Sequence, residues 1–125
     1  MLPQLHIGPS GWDYPQWRGV VYPAAGSRTP HALEFLAGHF NLLEIASTFR
    51  KPLRPEVAQM WVSKVSHNPA FQFTAVAPRR VTHDRDLDAA WIERFKSGLR
   101  PLVRAKRFGC LVFQFPWAFR FTVEN

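Results

Sequence analysis

The segment LLEIA, residues 42–46, puts a carboxylate inside an apolar run that reads as a strand. On a strand, Glu44 shares its face with Leu42 and Ala46, while Leu43 and Ile45 point the other way. An ionised carboxylate in that setting is costly unless it is hydrogen-bonded or paired. Two readings follow. Glu44 bonds backbone N–H groups or finds a cation, with Arg50, Arg79 and His83 as the candidates. Alternatively, desolvation raises its pKa into the range useful to a general acid or base. His83 is the second candidate for proton transfer. Arg79, Arg80, Thr82 and His83 together have the chemistry to hold a phosphate or carboxylate, and equally read as an ordinary loop with a helix cap. Gln114 stands between Phe113 and Phe115 on a face shared with Val112 and Cys110, so its amide calls for a specific partner, in the protein or in a ligand. Ser47 and Thr48 fall at a strand end, where a hydroxyl either meets substrate or caps the turn.

A second concentration of chemistry lies in IGPSGWDYPQWRGVVYP, residues 7–23. Its aromatics follow neither a helical nor a strand period. Trp12, Tyr14 and Trp17, with Tyr22 beyond them, offer a wall suited to sugars, nucleobases or other flat faces, and Ser10 offers an orienting hydroxyl. The same side chains also bury well and would anchor a loop. Other chemistries lack their signatures. His6, His31, His39, His67 and His83 make no tight metal-ligand spacing, so no metal site and no cofactor are expected. Gly8 and Gly11 lack a trailing G-K-[ST], so there is no phosphate-binding P-loop. The tetrapeptide GPSG lacks the residue between Ser10 and Gly11 that a G-x-S-x-G nucleophile elbow requires.

The elements that would position these residues alternate. Leu5 to Gly8 form a short strand-like run. Thr29-Pro30 reads as an N-cap with proline at the first helical position, followed by Leu33, Leu36, Ala37 and Phe40 on one face. After a turn at Asn41 comes the 42–46 strand. Pro55 opens a second helix with Val57, Ala58, Trp61 and Val65 in a stripe, and His67-Asn68-Pro69 stops it. FQFTAVAP, residues 71–78, is a third strand. Asp84 or Asp86 caps a third helix whose buried face is Leu87, Trp91, Phe95, Leu99 and Leu102, with a kink or break predicted near Gly98 and Pro101. CLVFQFP, residues 110–116, is the fourth strand. The order βαβαβαβ, with apolar residues on both faces of the later strands, indicates a parallel α/β sheet: an open doubly wound sheet or part of a (β/α)8 barrel.

Four stretches, in order, resemble the DUF72 (YecE-like) family. The segment at 7–23 fits its I-G-x-S-G-W-x-Y-x-x-W-x-G-x-x-Y-P opening, and LLEIASTF resembles its E-I-N-S-T-F segment. FQFTAVAPRRVTH resembles F-x-F-x-x-K-A-P-x-x-x-T-H, and LVFQFPWAFRF resembles L-x-F-Q-x-P-x-x-F-x-F. Ala46 replaces a usual Asn, Arg50 a usual Tyr and Val76 a usual Lys. The resemblance implies a TIM-type (β/α)8 barrel, here its first four strands and three helices, in a chain truncated to the N-terminal half as a single partial domain. In such barrels the site lies at the C-terminal strand ends. The resemblance implies no settled activity. By barrel analogy it points to a hydrolase or isomerase acting on a polar, phosphorylated or sugar-like small molecule. In that reading Glu44 and His83 serve as acid/base groups, and Ser10, Trp12, Tyr14, Trp17, Arg79 and Gln114 bind substrate.

Composition sets the alternatives. The 125 residues carry 16 Lys and Arg against 9 Asp and Glu, a formal net charge of +7. That balance favours anionic partners in a non-specific way. The run Arg94, Lys96, Arg100, Arg104, Lys106 and Arg107 reads as a solvated helix face or as a weak polyanion or nucleic-acid contact. The lone cysteine, Cys110, excludes an intramolecular disulfide and reads as a buried core thiol. No leader and no span of ~18 apolar residues are visible, so a soluble cytoplasmic chain without a membrane partner is expected. Half a barrel would expose two strand edges, predicting self-association or an inert fragment.

Overall fold

The computed structural model describes residues 4–24, 26 and 29–124. Strands β1 (Leu42–Ile45), β2 (Gln72–Val76) and β3 (Phe108–Val112) alternate with helices α1 (Ala32–Ala37), α2 (Pro55–Lys64), α3 (Arg79–Thr82) and α4 (Ala89–Arg104). The strands pair in parallel in the order β1-β2-β3. The run after Gln4, read from sequence as the first strand, lies extended along the free edge of β1. Asn41 N donates to Ile7 O at 3.2 Å, Glu44 N to Pro9 O at 3.0 Å and Gly11 N to Glu44 O at 2.9 Å. Pro9 has no N–H to give to a ladder, and the pairing is reduced to one parallel bridge, Ser10 to Glu44. Four segments thus lie side by side in chain order. A doubly wound sheet reverses its strand order at a switch point; a barrel does not.

Burial follows the two-residue period of the strands. Leu43 and Ile45 of β1 and Phe73 and Ala75 of β2 are fully buried. They meet Leu33 and Leu36 of α1, Ala58 and Trp61 of α2 with Val65 just beyond it, and Phe95, Leu99 and Leu102 of α4 in one core. The alternate residues, Leu42, Glu44, Gln72, Thr74 and Val76, are only partly buried, and Cys110 and Val112 of β3 are exposed. All the apolar covering lies on one face of the sheet.

Several expectations are corrected. His31, not Thr29, caps α1: its Nδ1 accepts from Leu33 N at 3.2 Å, while Thr29 Oγ1 accepts from Gly26 N at 2.7 Å. α1 ends at Ala37, so Phe40 falls beyond its buried stripe and is exposed. Asp88 caps α4, accepting from Trp91 N at 2.8 Å, whereas Asp86 takes the Asp88 N–H. Leu87 is consequently outside the helix and 67% exposed. α4 runs unbroken through Gly98 and Pro101. Gly98 is buried because the backbone of Leu53 lies against it; a Cβ there would stand 2.0 Å from Leu53 O. The glycine is a packing contact, and losing one helical donor at Pro101 does not interrupt the helix.

α4 then closes on Leu102 and Val103, with Arg107 N donating to Leu102 O at 2.8 Å and Lys106 N to Val103 O at 3.0 Å. Lys106 takes φ 57° in the left-handed region, completing a Schellman turn. This turn delivers the chain into β3 at Phe108, two residues before the strand start read from sequence, and β3 ends at Val112, short of Gln114. Cys110 pairs with Thr74 on the open face, so the thiol is exposed rather than a core group. No described helix is long and apolar enough to cross a membrane.

Candidate functional site

The C-terminal ends of the strands open into a cleft of about 940 Å³. β1 supplies Glu44, β2 supplies Val76, and the chain beyond β3 supplies Gln114. The 3₁₀ turn Ala46–Phe49 that follows β1 supplies Ser47 and Phe49, and Arg50 and Lys51 continue it. Thr48 fixes this turn. Its buried Oγ1 lies 2.8 Å from Val76 O and 2.9 Å from Ile45 O, and accepts from Val76 N at 3.1 Å. Thr48 is therefore the capping residue of its pair, and Ser47 is left facing the cleft.

Glu44 is half-buried on the open face. Ser10 Oγ donates to its Oε1 at 2.7 Å. Among the described residues it forms no ion pair, so none of the expected cations reaches it: Arg50 has no carboxylate partner, Arg79 pairs with Asp84 at 3.6 Å, and His83 lies elsewhere. The Ser10 contact follows from the backbone. The Ser10–Glu44 bridge brings the two residues side by side, and Gly11 continues at φ 75°, where an added Cβ would also stand 2.8 Å from the Tyr14 hydroxyl. The Glu44 carboxylate is thus held through one oxygen by a neutral donor, and its second oxygen has no hydrogen-bond partner among the described residues.

The aromatics of the opening segment form a chain of ring contacts. Tyr14 donates its hydroxyl to Ser10 O and stacks at a tilt on Trp17, 4.7 Å between centroids. Trp17 meets Tyr22 at 5.9 Å, and Tyr22 meets Phe35 of α1 at 5.7 Å. Tyr22 also donates to Trp12 O at 2.8 Å, and Trp12 packs edge-on against Trp61 of α2 at 4.6 Å. Burial and the nearby Asp13 carboxylate raise the Tyr22 pKa above its ordinary value. The loop is thereby tied to the core through aromatic faces. Of the four, Tyr14 lines the cleft; Trp12 lines a smaller adjoining depression of about 240 Å³ with Ser47 and Trp61.

The remaining candidates divide. His83 is edge-on to Phe49 at 5.5 Å, behind the cleft wall, with its Nδ1 2.8 Å from Thr82 Oγ1. Arg80 donates to Asp86 at 2.6 Å and lies over the Trp91 ring at 5.2 Å. The Asp86 carboxyl is held below its ordinary range by the hydrogen bond from Arg80, then by that from Asp88 N–H. The Arg79–His83 run is thus a short helix with its C-cap, and both of its arginines pair with carboxylates just beyond it, Asp84 and Asp86. Gln114 lines the cleft and is exposed, and the intramolecular partner expected for its amide is not found among the described residues. Of the basic run, Lys96 and Arg100 both pair with Glu93, at 2.6 and 3.0 Å, and Arg107 Nη1 donates to Asn68 O at 2.6 Å. No group of three or more His, Cys, Asp or Glu suited to a metal occurs among the described residues.

Asp13 and Lys51 line the cleft although neither stood out in the sequence. The one available signal was position: Lys51 follows Arg50 directly after a strand-end S-T-F, and Asp13 follows the Ser10-Gly11-Trp12 bend. Ala46, Arg50 and Val76, the three departures from the family pattern, all border this cleft.

The profile of a family described as "Protein of unknown function DUF72" matches residues 6–125. Among solved structures, the fold is similar to the crystal structure of a DUF72 family protein from Enterococcus faecalis V583, with a TM-score of 0.64 and 23% identity over 74% of this chain. The match spans 39% of that chain, so the fold here corresponds to a half-barrel portion of the neighbour's. No curated protein matches.

Proposed function

We propose, for a chain that belongs to the DUF72 family, that the strand-end cleft is a small-molecule site in which Glu44 transfers or holds a proton on a polar, sugar-like or phosphorylated ligand. The observation that carries this reading is the Ser10–Glu44 contact at 2.7 Å on the uncovered face, with no cation neutralising the carboxylate among the described residues. Ser10 orients Glu44, Tyr14 and Gln114 border the ligand, and Trp12 and Trp17 hold the loop in place. In this role Glu44 would act as general acid or base in a hydrolase- or isomerase-type reaction, an assignment that rests on the analogy with barrel enzymes. His83 would act from outside the cleft by positioning Phe49, and Arg79, paired with Asp84, does not border it. The polyanion alternative is weaker, because Lys96, Arg100 and Arg107 of the basic run are already engaged within the chain.

The test is a screen of sugars, polyols and their phosphates by two-dimensional amide NMR of the 125-residue chain. The reading predicts perturbations grouped at Ser10, Gly11, Glu44 and Gln114, and at least tenfold weaker binding in Glu44→Gln with an unchanged circular dichroism spectrum. Ligand shifts that ignore Glu44→Gln contradict it.

A further inference from the structure

We infer that the cleft contains an anion subsite formed by Arg50 and Lys51, and that its ligand is a phosphorylated small molecule whose phosphate rests there while its neutral, hydroxyl-bearing part faces Glu44. This rests on the small-molecule reading of the cleft and names the ligand class within it.

The cations around the cleft divide into those with a carboxylate partner and those without one. Arg18 pairs with Asp13 at 3.3 Å, Arg79 with Asp84 at 3.6 Å and Arg80 with Asp86 at 2.6 Å. Arg50 and Lys51 border the same cleft, are exposed, and have no carboxylate partner among the described residues. Two adjacent like charges without a counter-ion repel one another, and an anion between them removes that repulsion.

Their placement is fixed by backbone rather than left to a loose loop. Arg50 N and Lys51 N both donate to Ser47 O, at 3.1 and 3.3 Å, closing the turn that Thr48 ties to β2. A guanidinium and an ammonium on consecutive residues that both border the cleft, with the Ser47 hydroxyl on the same turn, match a phosphate monoester: a charge of about −1.5 to −2 and three acceptor oxygens. The guanidinium supplies a planar fork and the ammonium a point charge.

Orientation follows from Glu44. Its carboxylate has a hydroxyl partner and, among the described residues, no cation, so a second anion beside it is disfavoured. The charged end of a ligand therefore goes to Arg50 and Lys51, and the hydroxyl end to Glu44 and Ser10. The Arg79–His83 run, which the sequence offered for the same task, already has its cations paired.

The experiment is a titration of the full chain with inorganic phosphate at constant ionic strength, read by amide NMR and calorimetry. Wild type is expected to bind one phosphate, with shifts centred on residues 46–51. Arg50→Gln and Lys51→Gln should each weaken binding about five- to tenfold, and the double variant should abolish it. Arg94→Gln combined with Arg104→Gln, on the α4 surface, should leave it unchanged.

Phosphate binding retained in the Arg50/Lys51 double variant overturns the subsite. Equal losses in the α4 double variant overturn it too, by revealing diffuse attraction to a basic protein. The two readings fail separately. Neutral polyols that respond to Glu44→Gln, with phosphate indifferent to Arg50 and Lys51, sink the subsite and keep the cleft. Phosphate lost in the Arg50/Lys51 variant, with every polyol indifferent to Glu44→Gln, sinks the Glu44 reading and keeps the subsite.

Discussion

The two faces of the sheet are made by the same three strands and do opposite things. On the covered face, Leu43, Ile45, Phe73 and Ala75 have no accessible surface and touch α1, α2 and α4. On the open face, Leu42, Thr74 and Val76 are only partly buried, Cys110 and Val112 are exposed, and Glu44 stands among them. The covered face stabilises the fold. The open face contributes little burial and is therefore free to hold a carboxylate, a hydroxyl and two cations at the strand ends. The contrast separates the face that holds the fold together from the face that carries the cleft.

Truncating one side chain on each face of β2 should separate the two faces most strongly. Phe73→Ala removes a fully buried ring and is expected to cost about 3–5 kcal/mol, enough to unfold a small chain. Val76→Ala, three residues on and facing the cleft, is expected to cost less than about 1 kcal/mol. Equal losses in urea denaturation would erase the distinction between faces.

The next effect concerns association. An uncovered sheet face and the β3 edge, continued by the exposed Phe113 and Phe115, predict a light-scattering mass that rises with concentration. Val112→Lys should reduce that rise, because a charge on the edge discourages pairing. A mass independent of concentration in wild type contradicts the prediction.

A smaller effect tests the loop that carries Ser10. Tyr22→Phe deletes the bond to Trp12 O while keeping the ring between Trp17 and Phe35, and is expected to cost about 0.5–1.5 kcal/mol. Amide exchange of residues 10–14 should accelerate more than that of β2. Uniform acceleration would mean that the loop is not a separable unit.

The smallest effect is a pH dependence on the covered side. Burial, and next the Lys64 charge, lower the His31 pKa in the folded chain. The unfolded chain then binds the proton more readily, so His31 contributes stability above its unfolded pKa of about 6.5, and that stability is lost as pH falls through the folded value. Protonation would also occupy the Nδ1 acceptor that caps α1. The melting temperature should fall between pH 7.5 and 5, and His31→Asn, which retains a capping oxygen, should flatten that part of the profile.

The alternation of elements and the barrel-type order were legible in the sequence, because apolar periodicity and Pro55 mark local structure directly. Which strand face is covered was not. Leu42, Val76, Val112 and Phe113 are as apolar as their buried neighbours, and Cys110 read as core for that reason. The break foreseen at Gly98 failed because the close approach of Leu53 is a tertiary fact. Thr29 was displaced as a cap by His31, a less usual capping residue that also has an acceptor. Around the candidate cleft, Glu44, Tyr14 and Gln114, with Ser10 beside Glu44, were legible as polar groups or aromatics out of pattern. Lys51 was not, because an exposed lysine has no pattern to violate until the fold places it beside Arg50.

Cys110 is the sole cysteine and sits on the open face of β3, which makes it a direct reporter of the central asymmetry. The most telling measurement is its labelling rate by a thiol reagent in dilute native buffer, set against the same chain in denaturant. The account predicts stoichiometric labelling of the folded chain at a rate within about tenfold of the unfolded rate, with the circular dichroism spectrum unchanged throughout. A thiol that reacts only as the chain unfolds would mean that the face is covered, and would contradict the division of the sheet into scaffold and site.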